Sequence, residues 1–157
     1  MHDSANIGEH GRVLPAELIT AIDHVGIAVP DLDDAVAFYH DVLGFEVVHT
    51  EDNPDQGVRE AMLAVGDSGA CLQLLAPLSA DSSIARFLRR SGPGMQQLAY
   101  RVTDIEAAMT AVRAQGLRLI YEEPRRGTAG SRINFIHPKD AGGVLVELLE
   151  PARSSSQ

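Results

Sequence analysis

The sequence predicts an α+β domain made of two tandem βαβββ modules that curl around a shared cleft. Three observations predict it. First, His24-Val-Gly-Ile-Ala-Val-Pro-Asp31-Leu-Asp-Asp-Ala35 aligns without a gap on Gln97-Leu-Ala-Tyr-Arg-Val-Thr-Asp104-Ile-Glu-Ala-Ala108, an offset of 73 from His24 to Gln97. Second, Leu72-Gln73-Leu-Leu-Ala-Pro77 aligns on Val146-Glu147-Leu-Leu-Glu-Pro151 at an offset of 74 from Gln73 to Glu147, so one residue of slippage accumulates over a whole module. Third, each module holds one segment of period 3.6 among segments of period 2. Two copies are too few for a solenoid, which stacks three or more units, so a closed pseudo-twofold domain is expected.

In order, the first module reads as a strand over 21–29, a helix over 32–42, and strands near 46–51, 58–65 and 71–76. In the helix Leu32, Ala35, Val36, Tyr39 and Leu43 follow the 3.6 period. Asp31 suits its N-cap and Gly44 its stop, because glycine takes the left-handed backbone that ends a helix. A connecting helix over about 82–90 begins at Asp81 or Ser82 and carries Ile84, Phe87 and Leu88. The second module repeats the plan, with a strand over 95–102, a helix over 105–115 carrying Ile105, Ala108, Met109 and Val112 on one face, and strands near 118–121, 133–136 and 144–149. The expected organisation is a disordered tail over 1–18, one domain over 19–151 with modules at about 20–78 and 94–151, and a polar tail over 152–157.

At 157 residues the chain is long enough to bury a core without staples. A net charge of −9 opposes a nucleic-acid surface, which needs a basic footprint. No apolar run reaches membrane-spanning length and the first residues lack a basic-then-apolar leader pattern, so a cytoplasmic protein without membrane contact is expected. Cys71 is the single cysteine, hence no intrachain disulfide. Arg86, Arg89 and Arg90, and the pair Arg125-Arg126, are either solvated faces or anchors for an anionic ligand.

The repeat also locates candidate chemistry. His24 matches Gln97 and Gln73 matches Glu147, polar side chains at equivalent points of otherwise apolar strands. Strand alternation puts His24 on one face with Gly26 and Ala28, small residues that leave room for a ligand, and turns Glu147 away from Val144, Val146 and Leu148. A buried carboxylate there costs several kcal/mol unless it is paired or bound to a cation. Converging N, O, O and O⁻ donors suit a divalent metal with open positions for substrate oxygens. Taken singly, a strand histidine is more often a satisfied core residue than a ligand, and a strand glutamine more often an exposed-face residue.

Three stretches carry a resemblance: Asp23-His24-Val-Gly-Ile-Ala-Val-Pro-Asp31-Leu; Glu51-Asp-Asn-Pro-Asp-Gln-Gly-Val-Arg-Glu60; and Gly127 through Arg132-Ile-Asn-Phe-Ile-His137-Pro-Lys139 to Glu147. By them the chain, from about Ile22 to Pro151, resembles the methylmalonyl-CoA epimerases of the vicinal-oxygen-chelate, glyoxalase-like superfamily. The first stretch is shared across that superfamily; the other two are closer to the epimerases. The resemblance implies metal ligands at His24, Gln73, Gln97 and Glu147, with Glu60 and Glu147 as catalytic acid and base, in a 1,1-proton transfer through an enolate. It implies a divalent ion, Co²⁺ first, with Mn²⁺, Zn²⁺ or Mg²⁺ as alternatives, an acyl-CoA substrate and a homodimer. Arg132 and Lys139 are candidate substrate contacts. At position 97 the family commonly has histidine, so Gln97 is a departure that softens the site, since an amide oxygen binds borderline metals less well than imidazole. Two other readings are carried: an epimerase for a related ester such as ethylmalonyl-CoA, and a metal-free small-molecule-binding module. An extradiol dioxygenase needs two histidines and a carboxylate, and of the four positions only His24 supplies imidazole.

Overall fold

The computed structural model describes residues 14–154. Among the described residues eight strands form one sheet: β1 (Ile19–Ala28), β2 (Glu46–Asn53), β3 (Val58–Ala64), β4 (Cys71–Pro77), β5 (Gly94–Val102), β6 (Arg125–Arg126), β7 (Arg132–Ile136) and β8 (Val146–Glu150). Their spatial order, β2-β3-β4-β1-β5-β8-β7-β6, is symmetric about the β1–β5 junction. β1 runs parallel to β4 and β5 parallel to β8, while β1 and β5 meet antiparallel. The pseudo-twofold duplication read in the sequence is therefore the plan of the sheet.

Helices cover the outer face. In the first module Leu32, Ala35, Val36 and Tyr39 pack on Val29, Ala61, Leu63 and Leu74. In the second, α3 (Ile105–Ala114) buries Ile105, Ala108, Met109 and Val112 against Val102, Ile136 and Leu148. N-caps fall where a side-chain oxygen can accept an orphan N–H: Asp31 from Asp34, Ser82 from Ala85 and Asp104 from Ala107. Ser82, not Asp81, thus opens α2 (Ser83–Ser91), which packs Ile84 onto Val58 and Leu75 at the mouth of the cleft.

Several elements differ from expectation. The first helix is regular only as α1 (Leu32–Ala37) and continues as a π-helical segment, Phe38–Val42, in which the Leu43 N–H reaches the Phe38 carbonyl. That wider turn accompanies a stack of Tyr39 on Phe45, centroids 6.1 Å apart. The strand expected over 118–121 is reduced to a single bridge, Leu119 to Ile136. At Tyr121 the ladder is replaced by the Asn134 side chain, which accepts from the Tyr121 N–H at 3.1 Å and donates to its carbonyl at 2.9 Å. Pro124 then supplies no ladder N–H, and pairing resumes only at β6. The last strand starts at Val146 instead of 144, after a turn in which Gly142 and Gly143 both take positive φ. Leu18, placed in the expected tail, is buried against α3, and Leu14 packs beside it. Residues 1–13 of that tail, and 155–157 at the other end, lie outside the described residues.

Candidate active site

Five neighbouring strands, β3, β4, β1, β5 and β8, bring Glu60, Gln73, His24, Gln97 and Glu147 to the inner face of the sheet, and β5 adds Gln96 to the cavity wall. Alternation puts those five on the inner face, because Ala61, Leu63, Leu74 and Leu148 take the outer, helix-covered face. Gly26 stands opposite both Gln73 and Gln97. A Cβ at Gly26 would lie 2.4 Å from Cγ of Gln97, so the missing side chain makes room for that glutamine.

His24 is fully buried between two carboxylates, Nδ1 at 2.7 Å from Asp23 Oδ2 and Nε2 at 3.1 Å from Glu147 Oε2. Burial works against its protonation, but the two carboxylates outweigh it and hold the imidazole up to about 9. Asp23 is in turn oriented by Arg101, whose Nε and Nη2 donate to Oδ1 at 3.0 and 2.9 Å. Despite its burial, its carboxyl stays below the usual range because of His24 and Arg101. His24 Nε2, Gln73 Oε1 and Glu147 Oε2 converge on one point, at which the Gln97 amide nitrogen sits 3.2, 3.1 and 2.6 Å from them.

Glu60 is 2% exposed and faces a different set of partners. Thr128 donates its hydroxyl to Oε1 at 2.7 Å, and Gln73 donates from Nε2 to Oε2 at 2.9 Å and to the Thr128 hydroxyl at 2.7 Å. Glu51 stands directly opposite Glu60 in the β2–β3 ladder, where two like charges repel. Burial pushes the Glu60 carboxyl up to about 7; Thr128 opposes this and the Glu51 charge reinforces it. Glu51 itself is held below its ordinary value, with the Ala129 N–H donating to its Oε1 at 2.6 Å. Ala129 takes φ of 54°, a left-handed backbone rare outside glycine, which turns its N–H toward Glu51 and leaves Thr128 facing Glu60.

A cavity of about 210 Å³ opens onto these groups, with Glu60, Gln73, Gln97 and Glu147 in its wall. Leu75, Ile84, Ile133, Phe135 and Leu145 supply its apolar sides, the pattern of a small-molecule site with few polar groups. His24 lies behind this wall. Thr128, Glu51 and Tyr121 are members of the site that residue-type reasoning passed over. A hydroxyl between the glycines at 127 and 130 was the available signal for Thr128, whereas the cross-strand register of Glu51 needs the fold.

Arg132 and Lys139 do not reach the cavity. Arg132 shares the outer face of β7 with Asn134 and Ile136 and is held by Glu106 of α3 and by Glu150, the latter at 3.3 Å. Lys139 is exposed in the turn after β7. The motif carrying both residues orders that turn and strand: Asp140 accepts Nε and Nη2 of Arg118 at 2.9 Å each. Of the other cations, Arg86 and Arg89 bond the carbonyls of Asp81 and Ala80, and Arg125 lies over the Tyr121 ring at 4.7 Å.

Among the described residues no three His, Cys, Asp or Glu side chains cluster as a metal site. The set here instead combines one imidazole and one carboxylate with two amides. Three of its atoms already converge within hydrogen-bond distance of a single point, and one carboxylate leaves positions for anionic substrate oxygens, so the residues fit a divalent ion.

Comparison with known proteins places this geometry. Residues 23–135 match the model of the glyoxalase/bleomycin resistance protein/dioxygenase superfamily. The chain is 38% identical to the mitochondrial methylmalonyl-CoA epimerase of Bos taurus over 92% of its own length and 82% of that protein's. It is 40% identical to the ethylmalonyl-CoA/methylmalonyl-CoA epimerase of Cereibacter sphaeroides, over 83% of this chain and 98% of that one. The crystal structure of methylmalonyl-CoA epimerase from Mycobacterium tuberculosis superposes with a TM-score of 0.86 at 62% identity, covering 89% of this chain and 93% of the other. The chain therefore belongs to the glyoxalase/bleomycin resistance protein/dioxygenase superfamily, and membership together with its epimerase relatives implies a divalent metal ion.

Proposed function

We propose that the protein interconverts the two epimers of methylmalonyl-CoA by moving one proton between the faces of its α-carbon. One observation carries the reading beyond the relatives' names: two buried carboxyl groups, Glu60 and Glu147, approach one cavity from β3 and β8, on the two halves of the pseudo-twofold. Inversion needs an acid and a base on opposite sides, and that is the arrangement two modules facing a shared cleft can provide.

The chemical demand is large. A thioester α-proton of pKa about 20 facing Glu60 near 7 leaves a gap of roughly 18 kcal/mol at about 1.36 kcal/mol per unit. The divalent ion supplies a Lewis acid where enolate charge develops, and His24, Gln73, Glu147 and the oxygen end of Gln97 are the groups that would hold it. Glu60 removes or delivers the proton at one face. Burial puts its carboxyl near neutrality, where both protonation states are available, and Thr128 fixes the oxygen that stays hydrogen-bonded. Glu147 serves the opposite face. Asp23 and Arg101 orient His24, and Leu75, Phe135 and Leu145 exclude water from the anion formed between the carboxylates.

The test is turnover of methylmalonyl-CoA by metal-stripped protein before and after Co²⁺, Mn²⁺, Zn²⁺ or Mg²⁺ is added. Epimerisation restored by a divalent ion is the expected result; binding of the ester with no turnover under any ion would leave the metal-free binding module as the reading. The apolar wall and the Cereibacter relative, named for both esters, favour ethylmalonyl-CoA as a second substrate. The same reading takes the protein as a cytoplasmic homodimer.

A further inference from the structure

We propose that Gln97 is a built-in stopper of the metal position, and that a cation enters only by turning its amide end for end. The Gln97 nitrogen faces two acceptors, Glu147 Oε2 at 2.6 Å and Gln73 Oε1 at 3.1 Å, with His24 Nε2 beside it at 3.2 Å. An amide has two N–H donors, enough for the two oxygens, while His24 donates from Nε2 to Glu147. Without a cation, the nitrogen end is the one that satisfies these two oxygens. With a cation the requirement reverses, because N–H groups repel it and only Oε1 can serve as a ligand.

The seat for this side chain is built into the sheet. Gly26, opposite both Gln97 and Gln73, has no Cβ, and one there would strike Cγ of Gln97 at 2.4 Å, Cδ at 3.0 Å and Nε2 at 3.2 Å. A histidine at position 97 has no comparable choice, since its ring nitrogen is a ligand lone pair whenever neutral. Two consequences follow for this chain. It holds any divalent ion more weakly than an imidazole-bearing counterpart, because the amide network must first be broken. The completed set, one nitrogen and three oxygens, also favours oxygen-seeking ions such as Mn²⁺ and Mg²⁺ relative to Zn²⁺ and Co²⁺.

The proposal rests on the epimerase reading for what the metal is used for, but its test reads binding and not turnover, so the two fail separately. Calorimetric titration of metal-stripped protein with Mn²⁺ and with Zn²⁺ compares wild type with Gln97→His. The variant is expected to gain about tenfold or more in Zn²⁺ affinity, within the range by which single residues tune metal sites, and about threefold or less for Mn²⁺. Equal gains for both ions, or no gain for either, would overturn it. A measurement on the wild type guards against a misfolded variant: the side-chain amide resonances of Gln97, assigned by their loss in Gln97→Glu, should lose their protection from exchange when Mg²⁺ or Zn²⁺ binds. Amide protection that survives saturation with either ion contradicts the turning.

Discussion

Glu60 is a carboxyl that the fold keeps near neutrality, and its surroundings make that a measurable property. The value of about 7 comes first from burial and then from Glu51 across the ladder, against the Thr128 hydroxyl. Thr128→Val removes a donor to the charged form, so the Glu60 pKa should rise and the ascending limb of kcat/KM against pH should move upward. A limb that stays in place would show that Thr128 does not position Glu60. The stability consequence has a definite sign. A carboxyl whose folded pKa exceeds its ordinary 4.5 contributes stability that is fully present below that value and is lost as pH rises to about 7. In metal-free protein, Glu60→Gln should therefore flatten the fall in Tm between pH 4.5 and 7; an unchanged slope would contradict the shift. At this scale the sequence was legible where a residue had a repeat partner. His24, Gln73, Gln97 and Glu147 were found from paired positions, and Glu60 only through resemblance, because nothing in Arg59-Glu60 distinguishes it from a surface pair. Arg132 was misplaced because its alternation within β7 points it to Glu106 on the helix face.

At the scale of elements, the helix caps and the strands around the cleft follow from local chemistry, while the segment from 118 to 126 does not. Its apolar residues, Leu119, Ile120 and Tyr121, read as a strand, yet the bonds at Tyr121 go to a side chain, Asn134, that is fully buried. Such a substitution of side chain for ladder is visible only once β7 is in place beside it. It also frees Tyr121 and Ile120 to form part of the cavity wall. Asn134→Leu leaves the Tyr121 N–H and carbonyl without these partners, at a cost on the order of 2–3 kcal/mol. Denaturant unfolding should show that loss, together with weaker binding of the ester; a variant as stable as wild type would mean that water replaces the amide. Gly26→Ala probes the opposite edge of the cleft. The added methyl should displace Gln97 and lower metal affinity without changing the identity of any donor residue, as titration with Mn²⁺ would report.

For the whole molecule, duplication explains why five strands from both modules can aim side chains at one place. Each module brings β1 beside β4, or β5 beside β8, in parallel, and the antiparallel β1–β5 junction joins the two pairs across the pseudo-twofold. The repeat made this legible in the sequence, since offsets of 73 and 74 at the two ends, one residue apart, point to equivalent strands. Oligomeric state has no such signal. A homodimer predicts light scattering at twice the 16.8 kDa of the chain, and exposed apolar residues such as Val42 and Met95 are available to be covered. Scattering at 16.8 kDa across the working concentration range would refute it. Among the described residues no helix is long and apolar enough to cross a membrane.

The most direct test of the two-carboxyl account is isotopic. Each epimer of methylmalonyl-CoA is incubated separately in deuterated water with metal-loaded wild type and with Glu60→Gln, and both α-deuterium and configuration are followed. The account predicts that wild type exchanges and inverts both epimers, whereas the variant exchanges only the epimer whose proton faces Glu147 and inverts neither, about 10²-fold or more below wild type. Exchange from both epimers by Glu60→Gln at wild-type rates would contradict it.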